Sequence, residues 1–264
     1  MGSSARQPDR RDRLLRKRGQ RPVARGAGAV VFLALGAAFG PAGVERQAPG
    51  GDDSRPYLVV LGIAQDGGVP QAGSFDHPAW DDPGLGRQVV SLGLVDPRTQ
   101  HRWLFEATPD LRHQLRRLDQ FLPRQPGAHP VVDGVFLTHA HMGHYTGLLF
   151  FGHEAMGARG VPVYAMPRMA EYLRENGPWD QLVRFENIRI SPLAARVPVA
   201  LAPDLSVTPL LVPHRQEYSE VVGFRIAGPR STVLFIPDIN GWEEWDGWGV
   251  KVEDEIAAVD VAYL

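Results

Sequence analysis

From residue 57 to the end of the chain, short apolar runs alternate with segments that show helical periodicity. Short apolar runs bounded by turn residues are typical of buried strands. We therefore predict strands in YLVVLGI, VVSLGLVD, RWLFEA, VVDGVFLT, VPVYAM, IRIS, LSVTPLLVP, VVGFRIA, STVLFIPD and VDVAYL. The second and third of these segments should pair as a hairpin around PRTQ.

Helices are predicted between several of these strands. In PDLRHQLRRLDQF, three leucines recur on one helical face. PRMAEYLREN has Pro167 at its start and Gly177 just past its end, as helices often do. YTGLLFFGHEAMGA and VKVEDEIAAV are also predicted as helices. Strands and helices therefore alternate along the chain.

The first 44 residues have the layout of an export signal. Residues 1–25 carry nine arginines and lysines against two aspartates, and an apolar run at 27–43 follows directly. This layout predicts a signal peptide over 1–44, with an uncleaved N-terminal anchor as the alternative, and hence a periplasmic or secreted protein. The apolar run is shorter than the ~20 residues that cross a membrane. We predict a Gly/Pro/Asp-rich linker over 45–56 and the folded domain over 57–264.

Composition and charge limit the metal ligands and the substrate classes that are possible. The chain has 264 residues, 44% of them hydrophobic, which is enough for a sizeable core. It has no cysteine, so a transition metal must be held by His, Asp or Glu. The net charge is −2, and the basic first 25 residues leave the remainder at −9. An acidic body argues against a nucleic-acid partner, and we expect a small-molecule substrate.

Three histidines follow one predicted strand in the segment THAHMGH. His139 and His141 are two residues apart on an extended segment, so their side chains project to the same side, and His144 begins the next helix. Converging imidazoles at a strand end suit a divalent metal such as zinc. The alternatives are surface histidines or a hydrogen-bonded cluster. Two more predicted strands end in His214 and Asp238, at an edge where α/β proteins gather functional side chains.

Together these residues resemble the metallo-β-lactamase superfamily, whose pattern is His-x-His-x-Asp-His, then a strand-end His, a strand-end Asp and a last His. The resemblance implies an α/β fold, an αββα sandwich of two mixed sheets with helices outside. It also implies that His139, His141 and His214 hold a first metal, that Asp238 bridges and that His144 belongs to a second metal. LGIAQDGGVPQ, LFEATPDLRHQL and THAHMGHYTGL are similar to the branch of pyrroloquinoline quinone (PQQ) biosynthesis protein B.

The sequence departs from the superfamily pattern at two points. Gly143 stands where the superfamily has an aspartate ligand, and the last histidine is absent. We expect that the sequence is truncated at its C-terminus. A single metal is then expected, unless Asp66 supplies an oxygen from the glycine loop QDGG. With the C-terminal segment restored, Gly143→Asp is expected to strengthen the second metal site.

The function expected from this pattern is metal-dependent hydrolysis of a small ester, lactone or phosphodiester. One or two divalent metals, zinc first and iron or manganese as alternatives, would activate water. Asp238 and Asp66 are the candidate catalytic residues. The competing hypotheses are a metal-dependent step in PQQ biosynthesis and a non-catalytic metal-binding protein. Glu217, Tyr218 and Ser219 are predicted to contact substrate, to orient His214 or to lie in a solvated loop.

Overall fold

Alternating apolar side chains along the strands build two mixed β-sheets that pack face to face. The computed structural model describes residues 54–264. Along these strands, successive side chains point to opposite faces. One face of each sheet therefore packs against the other sheet, and the opposite face packs against helices.

The first sheet contains six strands in chain order. They are β1 (Tyr57–Gly62), β2 (Ser91–Asp96), β3 (His101–Phe105), β4 (Gly134–Phe136), β5 (Val161–Ala165) and β6 (Ile188–Pro192). β1, β2 and β3 pair antiparallel, which confirms the hairpin predicted around PRTQ. β3, β4, β5 and β6 pair parallel, so their carboxyl ends lie at one edge of the sheet.

The second sheet contains five strands in the order β11-β10-β9-β8-β7. They are β7 (Val199–Ala202), β8 (Leu205–Leu211), β9 (Val222–Ala227), β10 (Thr232–Phe235) and β11 (Val261–Tyr263). β7 to β10 pair antiparallel, whereas β10 and β11 pair parallel. β8 and β10 consequently run in the same direction and end at the same edge.

Aromatic rings fill the space between the two sheets. Phe105 and Phe136, at the ends of β3 and β4, are stacked with ring centroids 5.1 Å apart, and Tyr164 stacks on Phe136 at 4.2 Å. Phe224 of β9 meets Phe105 and Phe136 edge-on, at 5.5 and 5.6 Å. Such pairs add to the stabilisation that burial alone provides. This packing holds the end of β4 firmly against the second sheet.

Helices cover the outer faces of both sheets. The α-helices are α1 (Leu111–Asp119), α2 (Met142–Tyr145), α3 (Pro167–Glu175), α4 (Trp179–Arg184), α5 (Trp242–Gly247) and α6 (Val252–Ala257). Leu118 and Leu173 belong to the core outside the first sheet, and Trp245 belongs to the core outside the second. The layers follow the order helix, sheet, sheet, helix, which confirms the αββα sandwich.

One predicted helix is wrong, and several elements, α4, β7 and α5 among them, are additional. In YTGLLFFGHEAMGA, α2 passes into a 3₁₀ helix, Thr146–Phe151, and does not continue as an α-helix. Gly147 explains this difference, because its N–H donates to the carbonyl of Ala107 at 2.8 Å. A Cβ at Gly147 would lie 2.0 Å from the carbonyl oxygen of Thr108. α4, β7 and α5 lie in segments too short or too polar for the pattern to predict.

The N-terminal predictions concern residues outside the structure that is described. The signal or anchor predicted over 1–44 lies wholly outside residues 54–264, and so does most of the linker predicted over 45–56. Within residues 54–264, no helix combines the length and the apolar character needed to cross a membrane.

An arginine joins the two sheets at the turn between β2 and β3. Arg98 donates to the carboxylate of Asp96, the last residue of β2, at 2.9 and 3.0 Å. It also donates to Asp204, in the turn between β7 and β8, at 2.7 and 2.8 Å. Burial raises the pKa of Asp96, but the hydrogen bonds and charge of Arg98 outweigh it, and the net pKa is lowered.

We expect Asp96→Asn to lower the free energy of unfolding at pH 7 by about 1–2 kcal/mol, because it removes a charged acceptor that is buried. The folded-state pKa of Asp96 lies below its ordinary value of 3.8. The stabilisation is therefore complete above that value and is lost as the pH falls through the folded-state pKa. Urea denaturation at pH 7, 5 and 3.5 measures this dependence, with the exposed Asp76→Asn as control. A difference of the same size at all three pH values would contradict this origin.

Candidate metal centre

Three strand ends deliver the central residues of the site. His139, His214 and Asp238 each lie three residues after the last residue of a strand, namely after β4, β8 and β10. β4 belongs to the first sheet, and β8 and β10 belong to the second. The site is therefore built across the junction of the two sheets, at the edge where these strands end.

Two hydrogen bonds connect the sheets directly at this edge. The backbone N–H of Val222, the first residue of β9, donates to the carbonyl of Thr138 at 3.2 Å. The N–H of Ala140 donates to Oγ of Ser219 at 2.9 Å. Ser219 is buried and donates in turn to the carbonyl of Glu220. These bonds hold both sides of His139 in place.

Four side chains bring one donor atom each into a common cluster. His139, His141, His214 and Asp238 each offer an atom, and all four atoms lie within 4.8 Å of one another. His141 Nδ1 lies 2.9 Å from His139 Nε2 and 3.2 Å from His214 Nε2. Ligands of a tetrahedral zinc, at their usual bond lengths, would be ~3.3 Å apart. The histidine separations are close to that value.

The hydrogen-bond partners of the outer nitrogens of two of these rings determine which tautomer each ring adopts. His141 Nε2 lies 3.0 Å from a carboxylate oxygen of Glu217, which can only accept. His214 Nδ1 lies 3.0 Å from Oδ1 of Asn240, whose amide nitrogen donates to Glu244. Both outer nitrogens must therefore carry the hydrogen. His141 Nδ1 and His214 Nε2 face each other with lone pairs.

The third ring fits the same arrangement. His139 Nδ1 lies 2.9 Å from the hydroxyl of Thr138, which can accept from it, and His139 Nε2 then faces the cluster with a lone pair. Burial, with the neighbouring imidazoles adding to it, lowers the pKa of His139. Burial also lowers the pKa of His214. Neutral rings are the form that binds a metal, so this donor set fits a divalent cation.

Asp238 lies between the three histidines of this cluster and His144. Its Oδ2 is 3.4 Å from His139 Nε2, 3.8 Å from His214 Nε2 and 2.9 Å from His144 Nε2. Burial raises the pKa of Asp238, but its contact with His144 and the neighbouring imidazoles outweigh that effect and lower it. The carboxylate is therefore held ionised, as a metal ligand or a proton acceptor must be.

Behind His144 lies a buried carboxylate that the sequence prediction missed. Glu106 directly follows β3 and is fully buried, and its Oε2 lies 3.6 Å from His144 Nδ1. Burial raises the pKa of Glu106. For His144, burial lowers the pKa, but Glu106 and Asp238 outweigh it and raise the pKa to about 10. The acidic residue at the end of the apolar run RWLFE was the available signal, since β3 ends at the same edge as β4.

His144 stands apart from the four-donor cluster, although the superfamily pattern places it at a second metal. Both of its ring nitrogens are buried without an aligned hydrogen-bond partner among residues 54–264. They lie against two carboxylates, from Asp238 on one side and Glu106 on the other. In this position His144 links the buried carboxylate of Glu106 to the carboxylate of Asp238, which belongs to the cluster.

Because Gly143 has no side chain, the glycine loop can pack closely against it. A Cβ at Gly143 would lie 2.6 Å from the carbonyl oxygen of Asp66 and 3.1 Å from its Cα. The backbone of Asp66, which has a positive φ of 48°, therefore occupies the space that a side chain at position 143 would need. The expectation that Gly143→Asp strengthens the second metal site stays a prediction, and the added side chain would require this backbone to shift.

The remaining candidate residues take separate positions. The carboxylate of Asp66 is exposed and makes no hydrogen bond or ion pair within residues 54–264, so its catalytic role stays a prediction. Glu217 contacts His141, not His214. Tyr218 is exposed, with 59% of its surface accessible, and lies against Tyr172. Trp245, from the tryptophan-rich segment GWEEWDGW, is fully buried.

Comparisons with known proteins agree with this architecture. Residues 101–264 match the family model described as a β-lactamase superfamily domain. Coenzyme PQQ synthesis protein B of Rhodopseudomonas palustris (strain TIE-1) is 32% identical over 177 residues, which cover 65% of this chain and 52% of the relative. Its counterpart in Methylorubrum populi is 30% identical over 165 residues, 60% of this chain and 53% of the relative. The chain thus spans about half the length of the curated relatives it matches.

A solved structure has a similar fold. Zn(2+)-bound PqqB from Methylobacterium extorquens superposes with a TM-score of 0.58 at 26% sequence identity, over 69% of this chain and 65% of that chain. Together with the sequence matches, it confirms the resemblance to the metallo-β-lactamase fold and to its PQQ branch.

We expect Gly143→Ala to lower the free energy of unfolding by about 1–3 kcal/mol, because the added methyl group must displace the backbone of Asp66. Gly143→Asp should be destabilised at least as much, without binding additional metal. Gly247→Ala is the matched control, since its Cβ would meet nothing within 4 Å. Urea denaturation and elemental analysis provide the two readouts. Gly143→Asp with wild-type stability and an extra bound metal would refute this interpretation.

We expect Glu217→Ala to weaken zinc affinity by about 10-fold or more, because His141 loses the acceptor that orients its ring. Competition with a chromophoric chelator measures the affinity directly. Glu171→Ala, which removes an exposed carboxylate from α3, is the control for the loss of one negative charge. Equal zinc affinity in both variants would show that Glu217 does not orient the ligand.

Proposed function

Because the chain belongs to the β-lactamase superfamily, we propose that its four-donor cluster holds a divalent metal, zinc first, and that the protein is a metal-dependent hydrolase. The observation that carries this proposal is the convergence of three imidazole ring nitrogens, from His139, His141 and His214. A cation at their centre would be bound by all three nitrogens, and Asp238 supplies negative charge beside it.

A zinc ion at this site would supply Lewis-acid activation of water and of the substrate oxygen. The chain's own residues have separate tasks. His139, His141 and His214 would hold the ion, and the outer partners Glu217 and Asn240 keep two of the rings in the required tautomer. The proposed substrates are small esters, lactones or phosphodiesters.

Asp238 is the proposed proton acceptor. Its Oδ2 lies next to the cluster, 3.4 Å from His139 Nε2, and is also 2.9 Å from His144 Nε2. His144, with its pKa raised to about 10 by the two carboxylates that flank it in spite of its burial, carries a proton at neutral pH. That charge keeps Asp238 ionised and oriented toward the substrate. Glu106 holds His144 from behind.

We further propose that the centre works with a single metal. At the second position of the superfamily pattern, the described chain offers only His144 and the shared Asp238. Gly143 has no side chain that could donate to a metal, and the backbone of Asp66 fills the adjacent space. The one cluster of suitable donors found within residues 54–264 contains His139, His141, His214 and Asp238 but not His144.

A second candidate function is a metal-dependent step in PQQ cofactor biosynthesis. It is favoured by the relatives at 32% and 30% identity, which are named for coenzyme PQQ synthesis. Histidine and carboxylate donors also suit iron, which would support oxygen chemistry in place of hydrolysis. The identity of the bound metal and any consumption of oxygen therefore separate the two functions.

We expect purified protein to contain about one zinc per chain and to hydrolyse at least one member of a panel of small esters, lactones and phosphodiesters. Asp238→Asn should reduce the turnover by about 10²- to 10⁴-fold, the usual contribution of a positioned acid or base. His144→Ala should retain close to one metal, because His144 lies outside the cluster.

Elemental analysis and single-substrate kinetics test these expectations together. Glu243→Gln, which changes an exposed carboxylate of α5, serves as the matched carboxylate control for Asp238→Asn. Iron with oxygen uptake would favour the PQQ step. Metal without any turnover would instead support a non-catalytic metal-binding protein. Two metals in the wild type and one in His144→Ala would overturn the single-metal proposal.

A further inference from the structure

A cavity of about 760 Å³ lies at the opposite edge of the first sheet from the metal centre. It is lined by the residues that lead into β5, by the first residues of β6 and by residues at the ends of α3 and α4. The metal centre lies at the carboxyl ends of the parallel strands, whereas this cavity lies at their amino ends. The cavity therefore has no part in the proposed hydrolysis.

Three arginines line this cavity. Arg159 lies in the loop before β5, Arg174 in the last turn of α3, and Arg189 on β6. All three are exposed, and within residues 54–264 none of their side chains forms a hydrogen bond or an ion pair. Glu186 is the one acidic residue among those that line the cavity. The cavity is therefore positively charged, although the chain beyond residue 25 has a net charge of −9.

The two loops that border the cavity are held together by hydrogen bonds. The backbone N–H of Gly160 donates to the carbonyl of Glu186 at 2.7 Å. The side-chain amide of Asn187, a buried residue, donates to the carbonyl of Ala158 at 2.9 Å. These bonds join the loop that carries Arg159 to the loop that leads into β6. The backbone around the cavity is thus fixed before any ligand binds.

Apolar side chains form the rest of the lining. Val183, Ile188 and Ile190 line the cavity and pack in the core outside the first sheet. Phe185 also lines it and is 52% exposed, with its ring centroid 5.7 Å from that of His153. An apolar lining with a few charged groups is typical of a site that binds a small molecule, and so is the volume of this cavity.

We propose that this cavity binds a small, flat organic anion that carries two or three carboxylate groups. A guanidinium matches a carboxylate in charge and in geometry, because it can donate two parallel hydrogen bonds. The three arginines come from separate segments, so carboxylates spread around a frame can meet more of them than one compact phosphate can. The exposed ring of Phe185 favours a flat frame. The acidic remainder of the chain disfavours a polyanionic macromolecule.

Three probes test the inference by isothermal titration calorimetry on the zinc-loaded protein. Trimesate is a benzene ring with three carboxylates, citrate has three carboxylates without a ring, and benzoate has the ring with one carboxylate. Trimesate should bind most tightly, and added salt should weaken its binding more than that of benzoate. Phe185→Ala should reduce the advantage of trimesate over citrate. Equal zinc content before and after titration excludes removal of the metal by the probes.

Arg174→Gln and Arg189→Gln should each weaken trimesate binding by about two- to fivefold, as expected for one exposed ion pair. Arg116→Gln is the matched control, because Arg116 is an exposed arginine of α1 outside the cavity. Unchanged trimesate affinity in both cavity variants would overturn the site, and so would an equal loss in Arg116→Gln. Absence of trimesate binding to the wild type would also overturn it. Tighter binding of pyrophosphate than of trimesate would overturn the assignment to a polycarboxylate.

Discussion

Two hydrogen bonds between the sheets govern the geometry of the metal centre. The first runs from the N–H of Val222 to the carbonyl of Thr138, and the second runs from the N–H of Ala140 to Ser219. Both involve backbone groups next to His139, which has lost the regular pairing of β4. Without these bonds, buried backbone groups would lack partners, a cost of about 1–3 kcal/mol each. The two bonds therefore favour the observed register between the sheets at this edge.

Orientation of the imidazoles follows from that register. Once His139 is fixed against the second sheet, the loop between β8 and β9 brings both His214 and Glu217 to the same place. Each ring is then held from its outer nitrogen by an acceptor, and its inner nitrogen is left as a lone pair. Stacked Phe105 and Phe136 support the arrangement from the core, because both strands end in these rings. The lone pairs are thus directed by the fold before a metal binds.

Much of this architecture could be predicted from local pattern. Most strands form where apolar runs lie, and His139, His214 and Asp238 stand where runs end, so their convergence follows from strand direction. Glu106 was missed because a single acidic residue after a strand looks like an ordinary turn residue until its burial is known. The helix expected after His144 was wrong because Gly147 pairs with the backbone of Ala107, a contact distant in sequence. Helix propensity, which is a local property, does not include a long-range contact of this kind.

Gly143 is the clearest example of a structural role that the sequence motif alone does not show. Compared with the superfamily motif, the glycine is a missing ligand; in the structure, it is the space that the backbone of Asp66 occupies. The missing ligand and the close approach of the Asp66 backbone concern the same position in space, and each depends on the other. A side chain at 143 would keep the glycine loop away, and the loop in place leaves no room for a side chain. The loss of one oxygen donor is therefore the condition for close packing of this loop against α2. His144 then lies between the carboxylates of Asp238 and Glu106, and its ring links the four-donor cluster to a buried acidic residue.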